Sequence, residues 1–154
     1  MFVVHVRRRR LALLGAAIAA VLVLTLLLSG CLHGKTQPAE AAPAATAEER
    51  AAYLAGFGWQ IAPEPVETLR LQLPEDLSAE WRDYLKLQQS QGLTFGDYAG
   101  REVERYTYNI LNYPGVERGV QANLFVADGI VIAGDVVSTG EQSFQQGLAF
   151  PETG

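Results

Sequence analysis

The chemistry open to this chain is narrow, because cysteine and histidine are missing from residues 46–154. The single cysteine, Cys31, and both histidines, His5 and His33, precede that segment. A nucleophilic triad that needs histidine or a thiol is therefore excluded there, and we expect no zinc site and no cofactor. The only lysine of the segment, Lys86, is interpreted as a solvated surface residue rather than as the base of a serine nucleophile.

Carboxylates are the remaining route to a functional site, either catalytic, as in glycoside hydrolysis, or as ligands of calcium. Glu102 and Glu104 lie two apart and share a face of a predicted strand, but the arginines beside them favour a solvated edge of mixed charge. Asp135 follows Gly134 in a strand otherwise made of Ile, Val and Ala, where a buried carboxylate is costly unless it is hydrogen-bonded or paired. We expect a bulge at Gly134 that turns Asp135 onto backbone amides or an arginine, and a functional role is the alternative.

A second group of candidate functional residues is neutral: Tyr106, Tyr108 and Asn109. Tyrosine and asparagine are frequent at adaptable contact surfaces, and together with Asp135 these residues favour a non-enzymatic binding or interaction module. A carboxylate-dependent hydrolase and a purely structural component are the alternatives. A cleft with two carboxylates of raised pKa would favour the hydrolase, whereas a tyrosine-rich patch without a cleft would favour the interaction module.

Two helices are predicted to position these side chains. Thr46-Ala-Glu-Glu49 has the form of a capping box and predicts a helix that ends at Gly56 or Gly58. A second helix is predicted over residues 78–91, with Ser78 or Asp76 as its cap and Gly92 as its terminator. One face of the second helix is formed by Trp81, Tyr84, Leu85 and Gln88, which we interpret as core packing.

Alternating apolar residues predict strands at 68–73, 102–112, 120–127 and 130–137. The last two flank Asp128-Gly129, which predicts a two-residue type I′ hairpin turn. In that register Ala127 faces Ile130. It also pairs Phe125 with Ile132 and Leu124 with Ala133. The order of elements predicts an α+β domain, with two helices packed on one face of a small, mainly antiparallel sheet.

Charge excludes nucleic acid as a partner. The whole chain carries a formal charge of −5, but four of its twelve basic residues are the consecutive arginines at 7–10. After Gly30 there are eight basic and seventeen acidic residues, a net charge of −9. Such a surface repels phosphate backbones and lacks the basic patch of a nucleic-acid binder.

The N-terminus predicts membrane attachment. Residues 11–28 contain no charged side chain and follow the four arginines. A segment of about this length can cross the hydrocarbon core, and the positive-inside rule then places everything after Leu28 on the extracytoplasmic face of the cell membrane. Residues 32–45, rich in alanine with two prolines, are predicted to be a flexible spacer before an extracytoplasmic domain at 46–154.

Two kinds of anchor remain open. Leu28-Ser29-Gly30-Cys31 resembles the lipobox of bacterial lipoproteins, in which the cysteine is lipidated and becomes the new N-terminus. Residues 1–31 are then a signal peptide that ends at the lipobox. An apolar segment of this length also suits an uncleaved signal anchor, with Cys31 as a small residue near the membrane surface. Both alternatives give the same side of the membrane.

Four motifs together resemble one family. They are Tyr53-Leu-x-x-Phe-Gly-Trp59, Tyr84-Leu-Lys-Leu-Gln-Gln-Ser-Gln-Gly92, Tyr106-Thr-Tyr-Asn-Ile-Leu-Asn-Tyr-Pro114, and Ala122-Asn-Leu-Phe-Val-Ala-Asp-Gly129 followed by Gly134-Asp135. This part of the chain resembles domain-of-unknown-function family 4830 over most of residues 46–148. The resemblance implies a membrane-anchored bacterial protein with an uncleaved apolar segment, and it implies no activity.

Overall fold

The computed structural model describes residues 41–140 and 143–151, so the predicted membrane segment 11–28 and Cys31 lie outside the described residues. The described part has the predicted α+β class, built on a five-stranded antiparallel sheet in which every strand pairs with its neighbours in sequence. The elements are α1 (Ala47–Gly56), β1 (Glu67–Gln72), α2 (Arg82–Ser90), a 3₁₀ helix (Phe95–Tyr98), β2 (Glu102–Asn109), β3 (Val120–Ala127), β4 (Ile130–Ser138) and β5 (Gln145–Gln146). None of these described helices is long and apolar enough to cross a membrane.

The start of α1 confirms the predicted capping box. The Thr46 hydroxyl accepts a hydrogen bond from the Glu49 backbone N–H at 3.1 Å, and the Glu49 carboxylate accepts one from the Thr46 N–H at 3.0 Å. These bonds satisfy two N–H groups that have no acceptor inside the helix. The helix ends at Gly56, and Gly58 then reverses the chain at a φ of 95°.

The second helix is shorter than predicted, because α2 begins at Arg82 rather than at residue 78. The Asp76 carboxylate does accept the Ser78 N–H at 2.8 Å, but this bond closes a separate tight turn before the helix. No side chain caps the first turn of α2. Its end agrees with the prediction, since Gly92 follows it at a φ of 75°.

Each face of the sheet carries its own apolar cluster. Leu54 of α1 packs with Leu124 and its neighbours on one face, called here the α1 face. Tyr84 of α2 packs with Phe125 and its neighbours on the opposite face, called here the α2 face. The prediction that both helices cover one face is therefore not confirmed. Strands β3 and β4 are buried along nearly their whole length, so they need cover on both sides.

The hairpin between β3 and β4 has the predicted turn but not the predicted register throughout. Asp128 and Gly129 have φ values of 52° and 75°, as a type I′ turn requires, and Ala127 faces Ile130. The register then shifts between Phe125 and Val126, with Ile132 as the extra residue of a bulge in β4.

Two predicted pairs of the hairpin and the predicted position of the bulge are wrong. Phe125 lies opposite Ala133 instead of Ile132, and Leu124 lies opposite Gly134 instead of Ala133. The bulge is not at Gly134, where it was predicted. Without the bulge at Ile132, Asp135 would belong to the α1 face, because the direction of each later side chain in β4 would be reversed.

Residues 42–45 are part of the fold, so the predicted flexible spacer of residues 32–45 is wrong at its C-terminal end. Ala44 is fully buried, and its N–H donates to the Gly129 carbonyl at 2.8 Å. Val131 N–H donates to the Ala42 carbonyl at 3.0 Å. This short segment extends the sheet beside the start of β4, because it binds backbone groups that the hairpin leaves free.

Candidate functional site

A row of polar side chains crosses the centre of the α2 face. Thr107 of β2 lies opposite Asn123 of β3, which in turn lies opposite Asp135 of β4. The Thr107 hydroxyl donates to Asn123 Oδ1 at 2.8 Å, and Asn123 Nδ2 donates to Asp135 Oδ1 at 2.8 Å. Each side chain is fixed both by its strand and by the next member of the row, so the row is a preorganised polar surface.

Asp135 is only 3% exposed, and its hydrogen-bond partners are neutral. Its second oxygen, Oδ2, accepts a hydrogen bond from Gln145 Nε2 of β5 at 2.6 Å. Burial raises the pKa of Asp135, while the hydrogen bonds from Asn123 and Gln145 and the positive charge of Arg105 oppose that rise. The prediction of backbone amides or an arginine as direct partners is wrong, since two side-chain amides bind the carboxylate instead.

Two members of this row, Asn123 and Asp135, form the polar floor of a pocket of about 450 Å³, called here the Asp135 pocket. One wall is aromatic: the rings of Trp81 and Tyr84 meet edge to face with their centroids 5.9 Å apart. The volume lies within the range of small-molecule sites. Besides Asp135, the lining consists of Glu80, Trp81, Tyr84, Arg105, Asn123, Phe125, Val137 and Gln145.

Two buried donors in the pocket wall have no close hydrogen-bond partner. The first is the Tyr84 hydroxyl, which faces the Asp135 carboxylate: burial, followed by the charge of that carboxylate and hydrogen bonding to it, raises the pKa of Tyr84. The second is Nε of Arg105, whose terminal guanidinium nitrogen pairs with Glu67 of β1. Buried polar groups are normally hydrogen-bonded, and Asp135 is an acceptor within reach of Tyr84, so Arg105 Nε is the point at which the pocket wall is chemically incomplete.

The other predicted functional residues are not brought to this pocket. Tyr106 and Tyr108 belong to the α1 face, where the Arg50 side chain lies over the Tyr106 ring at 3.7 Å and Nε donates to the Tyr108 hydroxyl at 3.0 Å. Arg50 also donates to the carbonyls of Ala44 and Ala45 at 2.9 and 3.1 Å. Both tyrosines therefore hold α1 and the segment before it onto the sheet.

Asn109 is exposed near the end of β2, where its Oδ1 accepts a hydrogen bond from Gln121 Nε2 at 3.2 Å. Glu102 and Glu104 form a mixed-charge surface, but they lie on β2, which is paired on both sides by β1 and β3 and is not the edge that their sequence context indicates. Their cationic partner is Arg70 of β1, at 3.6 and 3.0 Å. The Tyr106 hydroxyl and Arg70 hold the pKa of Glu104 below its usual range, so this carboxylate is not prepared to donate a proton.

A second pocket, of about 310 Å³, lies along this surface and includes Arg70, Glu102 and Glu104. Both glutamates already pair with Arg70 across β1 and β2. Residues 41–140 and 143–151 hold no cluster of three or more His, Cys, Asp or Glu side chains that could bind a metal ion. The Asp135 pocket is thus the candidate site with unsatisfied chemistry.

Two glutamines at the C-terminal end of α2 bind the backbone of β4 where no neighbouring strand pairs with it. Gln88 Oε1 accepts a hydrogen bond from Gly134 N–H at 2.9 Å, and Gln91 Nε2 donates to the Gly134 carbonyl at 3.0 Å. Gln91 Oε1 also accepts the Leu148 N–H. The two side chains act here as a substitute for a neighbouring strand, and this role explains part of the polar run at residues 88–91.

Fold and site together define a small α+β domain with one aromatic and polar pocket on the α2 face. The sequence profile of the family described as Domain of unknown function (DUF4830) matches residues 53–137, more than half of the chain, and the chain belongs to this family. The matched range contains all the lining residues of the Asp135 pocket except Gln145. No curated protein and no solved structure matches the chain.

Proposed function

We propose that this protein is a membrane-tethered, extracytoplasmic binding module of the bacterial cell envelope, and that it takes its ligand into the Asp135 pocket. The observation that carries the proposal is the unfinished hydrogen bonding of the pocket wall at Arg105 Nε, beside the buried Asp135 carboxylate and above a polar floor. A ligand with oxygen or nitrogen acceptors would complete that hydrogen bonding.

The tether rests on the sequence of the N-terminus. Residues 11–28 are long enough to cross a membrane, and the arginines at 7–10 favour an orientation with the domain outside. Lipidation of Cys31 and an uncleaved signal anchor both place the pocket in the extracytoplasmic space. The ligand is accordingly a molecule of that compartment, or a group presented by a protein there.

A binding role suits the pocket better than hydrolysis. Two neutral amides hold the Asp135 carboxylate from opposite sides, and it is the only buried carboxylate among the described residues that line the pocket. Glu80, the other carboxylate of the lining, is exposed. Hydrolysis by paired carboxylates needs two of them with different, tuned environments facing one substrate. The fixed geometry instead suits recognition of a ligand by a preorganised surface.

Filling the pocket tests this proposal. Val137 lines the pocket and is partly exposed, so Val137→Trp should occupy the ligand space while leaving the polar floor in place. Val66→Trp is the matched control, because Val66 is half exposed and lies outside the pocket. Thermal melts of the full chain are recorded against a panel of amines, sugars, amino acids and carboxylic acids.

We expect compounds that raise the melting temperature of the wild type and of Val66→Trp but not of Val137→Trp. A ligand at 100 times its dissociation constant stabilises the folded state by about 2.7 kcal/mol, which a melt detects readily. If every compound that stabilises the wild type also stabilises Val137→Trp, the pocket is not the binding site.

A further inference from the structure

We propose that the Asp135 pocket selects small organic cations, with a ligand ammonium group paired to the Asp135 carboxylate. This inference rests on the proposed function, because it names the chemical class of ligand for the same pocket. Three independent features of the pocket support it: a buried carboxylate without a cationic partner, the charge balance of the lining, and the aromatic wall.

The buried carboxylate comes first. Asp135 is 3% exposed, and the ion pairs formed by the described residues do not include it. Buried carboxylates are usually paired with a cation or bind a metal, since neutral hydrogen bonds alone do not replace the lost hydration. A carboxylate has about four acceptor positions; the Asn123 and Gln145 amides use two of them, and the Tyr84 hydroxyl faces a third. The remaining position leaves room for an ammonium donor from the pocket.

The charge balance of the lining points the same way. Arg105 is the only cationic side chain among the described lining residues, and its guanidinium is already paired with Glu67. The other two charged lining residues, Glu80 and Asp135, are carboxylates. An anionic ligand would meet two like charges, whereas a cationic ligand would supply the charge that the site lacks.

The aromatic wall favours a cationic ligand over a neutral one. The rings of Trp81 and Tyr84 flank the pocket, and the faces of such rings attract ammonium groups. The unpartnered donor at Arg105 Nε calls for an acceptor atom elsewhere in the ligand. A primary ammonium with a nearby hydroxyl or carbonyl oxygen satisfies both requirements.

The two tryptophans of the chain provide the test. Trp81 lines the pocket, whereas Trp59 is 2% exposed and its indole N–H donates to the Leu148 carbonyl at 2.7 Å. The full chain in detergent, labelled with ¹⁵N at the indole, therefore gives one reporter resonance and one internal control, assigned with Trp81→Phe. The probes are two matched series in which only the charge varies: glucosamine, glucose and glucuronate, and n-butylammonium, n-butanol and butyrate.

We expect the ammonium member of each series to shift the Trp81 resonance in a saturable way at millimolar concentration while the Trp59 resonance stays in place. The neutral and anionic members should bind at least several-fold more weakly. Asp135→Asn should weaken ammonium binding by roughly ten- to hundredfold, as expected for loss of a hydrogen bond to a charged group. An unchanged Trp59 resonance shows that this variant is folded.

Glu80→Gln provides a second variant, because Glu80 is exposed and its replacement leaves the core untouched. It should weaken ammonium binding a few-fold. If the neutral or the anionic member binds as well as the ammonium member, or if neither substitution weakens binding, the inference fails while the pocket remains a binding site. If no probe moves Trp81, the inference also fails, and the comparison of Val137→Trp with Val66→Trp decides the proposed function separately.

Discussion

Asp135 departs from what its neighbours in sequence predict, and its surroundings explain why it is tolerated. It is a carboxylate in an apolar strand, yet the bulge at Ile132 directs it to a row of polar side chains instead of the apolar α1 face. The row includes Asn123, which interrupts β3 as Asp135 interrupts β4. The two residues satisfy each other only because the register is shifted by one residue.

A pH series measures the cost of burying this carboxylate. Because the pKa of Asp135 is raised in the folded state, the folded domain binds the proton more readily than the unfolded chain does. The free energy of unfolding should therefore fall as pH rises from the unfolded value of about 3.9 through the raised pKa, as far as this residue is concerned. Asp135→Asn removes that dependence, and its amide can keep the bond from Asn123 while Gln145 rotates to accept.

The comparison is made by urea unfolding of wild type and Asp135→Asn at pH 4 and pH 7. The other charged or titratable groups that face Asp135 are Tyr84, Arg105 and Glu80, so Glu80→Gln is introduced into both proteins to isolate Asp135. The variant should gain stability relative to the parent on going from pH 4 to pH 7. An equal difference at both pH values would show that Asp135 carries no raised pKa.

Gly134 is required by close packing, not by its backbone angle. A Cβ atom at this position would lie 2.6 Å from Cδ1 of Leu148, whose side chain is fully buried. Gly134→Ala should therefore destabilise the domain by about 1 to 3 kcal/mol, the usual cost of overpacking a core. Gly56→Ala is the control, because nothing lies within 4 Å of its Cβ position at the end of α1. If urea unfolding shows that both variants are as stable as the wild type, Leu148 does not restrict the space at position 134.

At the scale of elements, several local signals in the sequence predict starts, ends and turns, although the predicted start of α2 at residue 78 is wrong. The capping box at Thr46 and the turn at Asp128-Gly129 need only neighbouring residues, and both are confirmed. Long-range pairing is not encoded in this way. Gln145, which completes the partners of Asp135, lies in a two-residue strand that has no periodic pattern to reveal it.

For a related reason, the sequence does not predict which face of the sheet each helix covers. The two long hairpin strands are apolar on both sides, so their pattern does not tell which face each helix covers. The pocket depends on that arrangement, because Trp81 and Tyr84 reach it only when α2 covers the α2 face. Both aromatic residues were predicted to be core packing, and they do pack against the core while one side of each lines the pocket.

The hairpin turn gives a prediction at this scale. Gly129 has a φ of 75°, a backbone region in which a β-branched residue is strained. Gly129→Val should lower the free energy of unfolding by about 1 to 3 kcal/mol. The change in stability is measured by thermal melts beside Asp128→Asn, which should melt close to the wild type because asparagine tolerates positive φ and only the exposed ion pair with Arg101 is lost. A Gly129→Val domain that melts with the wild type would mean that the turn is not type I′.

The segment before α1 gives a second prediction. A protein that starts at residue 46 loses the backbone hydrogen bonds of Ala42 and Ala44 to the hairpin, and it leaves the buried Arg50 without two carbonyl acceptors. It should be less stable than one that starts at residue 38, since unpaired buried polar groups are costly. Thermal melts of the two fragments make the comparison. Equal melting temperatures would show that residues 42–45 add nothing to the fold.

At the scale of the whole molecule, the net charge of the chain acts on the proposed site. The part of the chain after Gly30 carries a net charge of −9, which raises the local concentration of cations around the domain. This long-range attraction is screened over about 8 to 10 Å at physiological salt, whereas the contact with Asp135 is buried and screened less. We thus expect the selectivity for cations to depend both on the net negative charge of the domain and on the contact with Asp135 in the pocket.

The form of the anchor is the last prediction, and it rests on the sequence around Cys31. If Leu28-Ser29-Gly30-Cys31 acts as a lipobox, the native protein should lack its first thirty residues and carry a lipid on the cysteine. Cys31→Ser should then keep the N-terminal segment, and the protein purified from membranes should be heavier by that segment and lighter by the lipid. Leu32→Ala is the control, since it leaves the four-residue motif intact.

Intact-mass spectrometry of the three proteins separates the two anchors. An uncleaved signal anchor predicts that all three keep Met1 or its processed form and that Cys31 carries no lipid, so the Cys31→Ser mass differs from wild type only by the substituted atom. In either outcome, protease added to intact cells or spheroplasts should reach the domain, because both anchors place residues after Leu28 outside. A domain that stays protected until the membrane is dissolved would overturn the proposed topology, and with it the assignment of the ligand to the extracytoplasmic space.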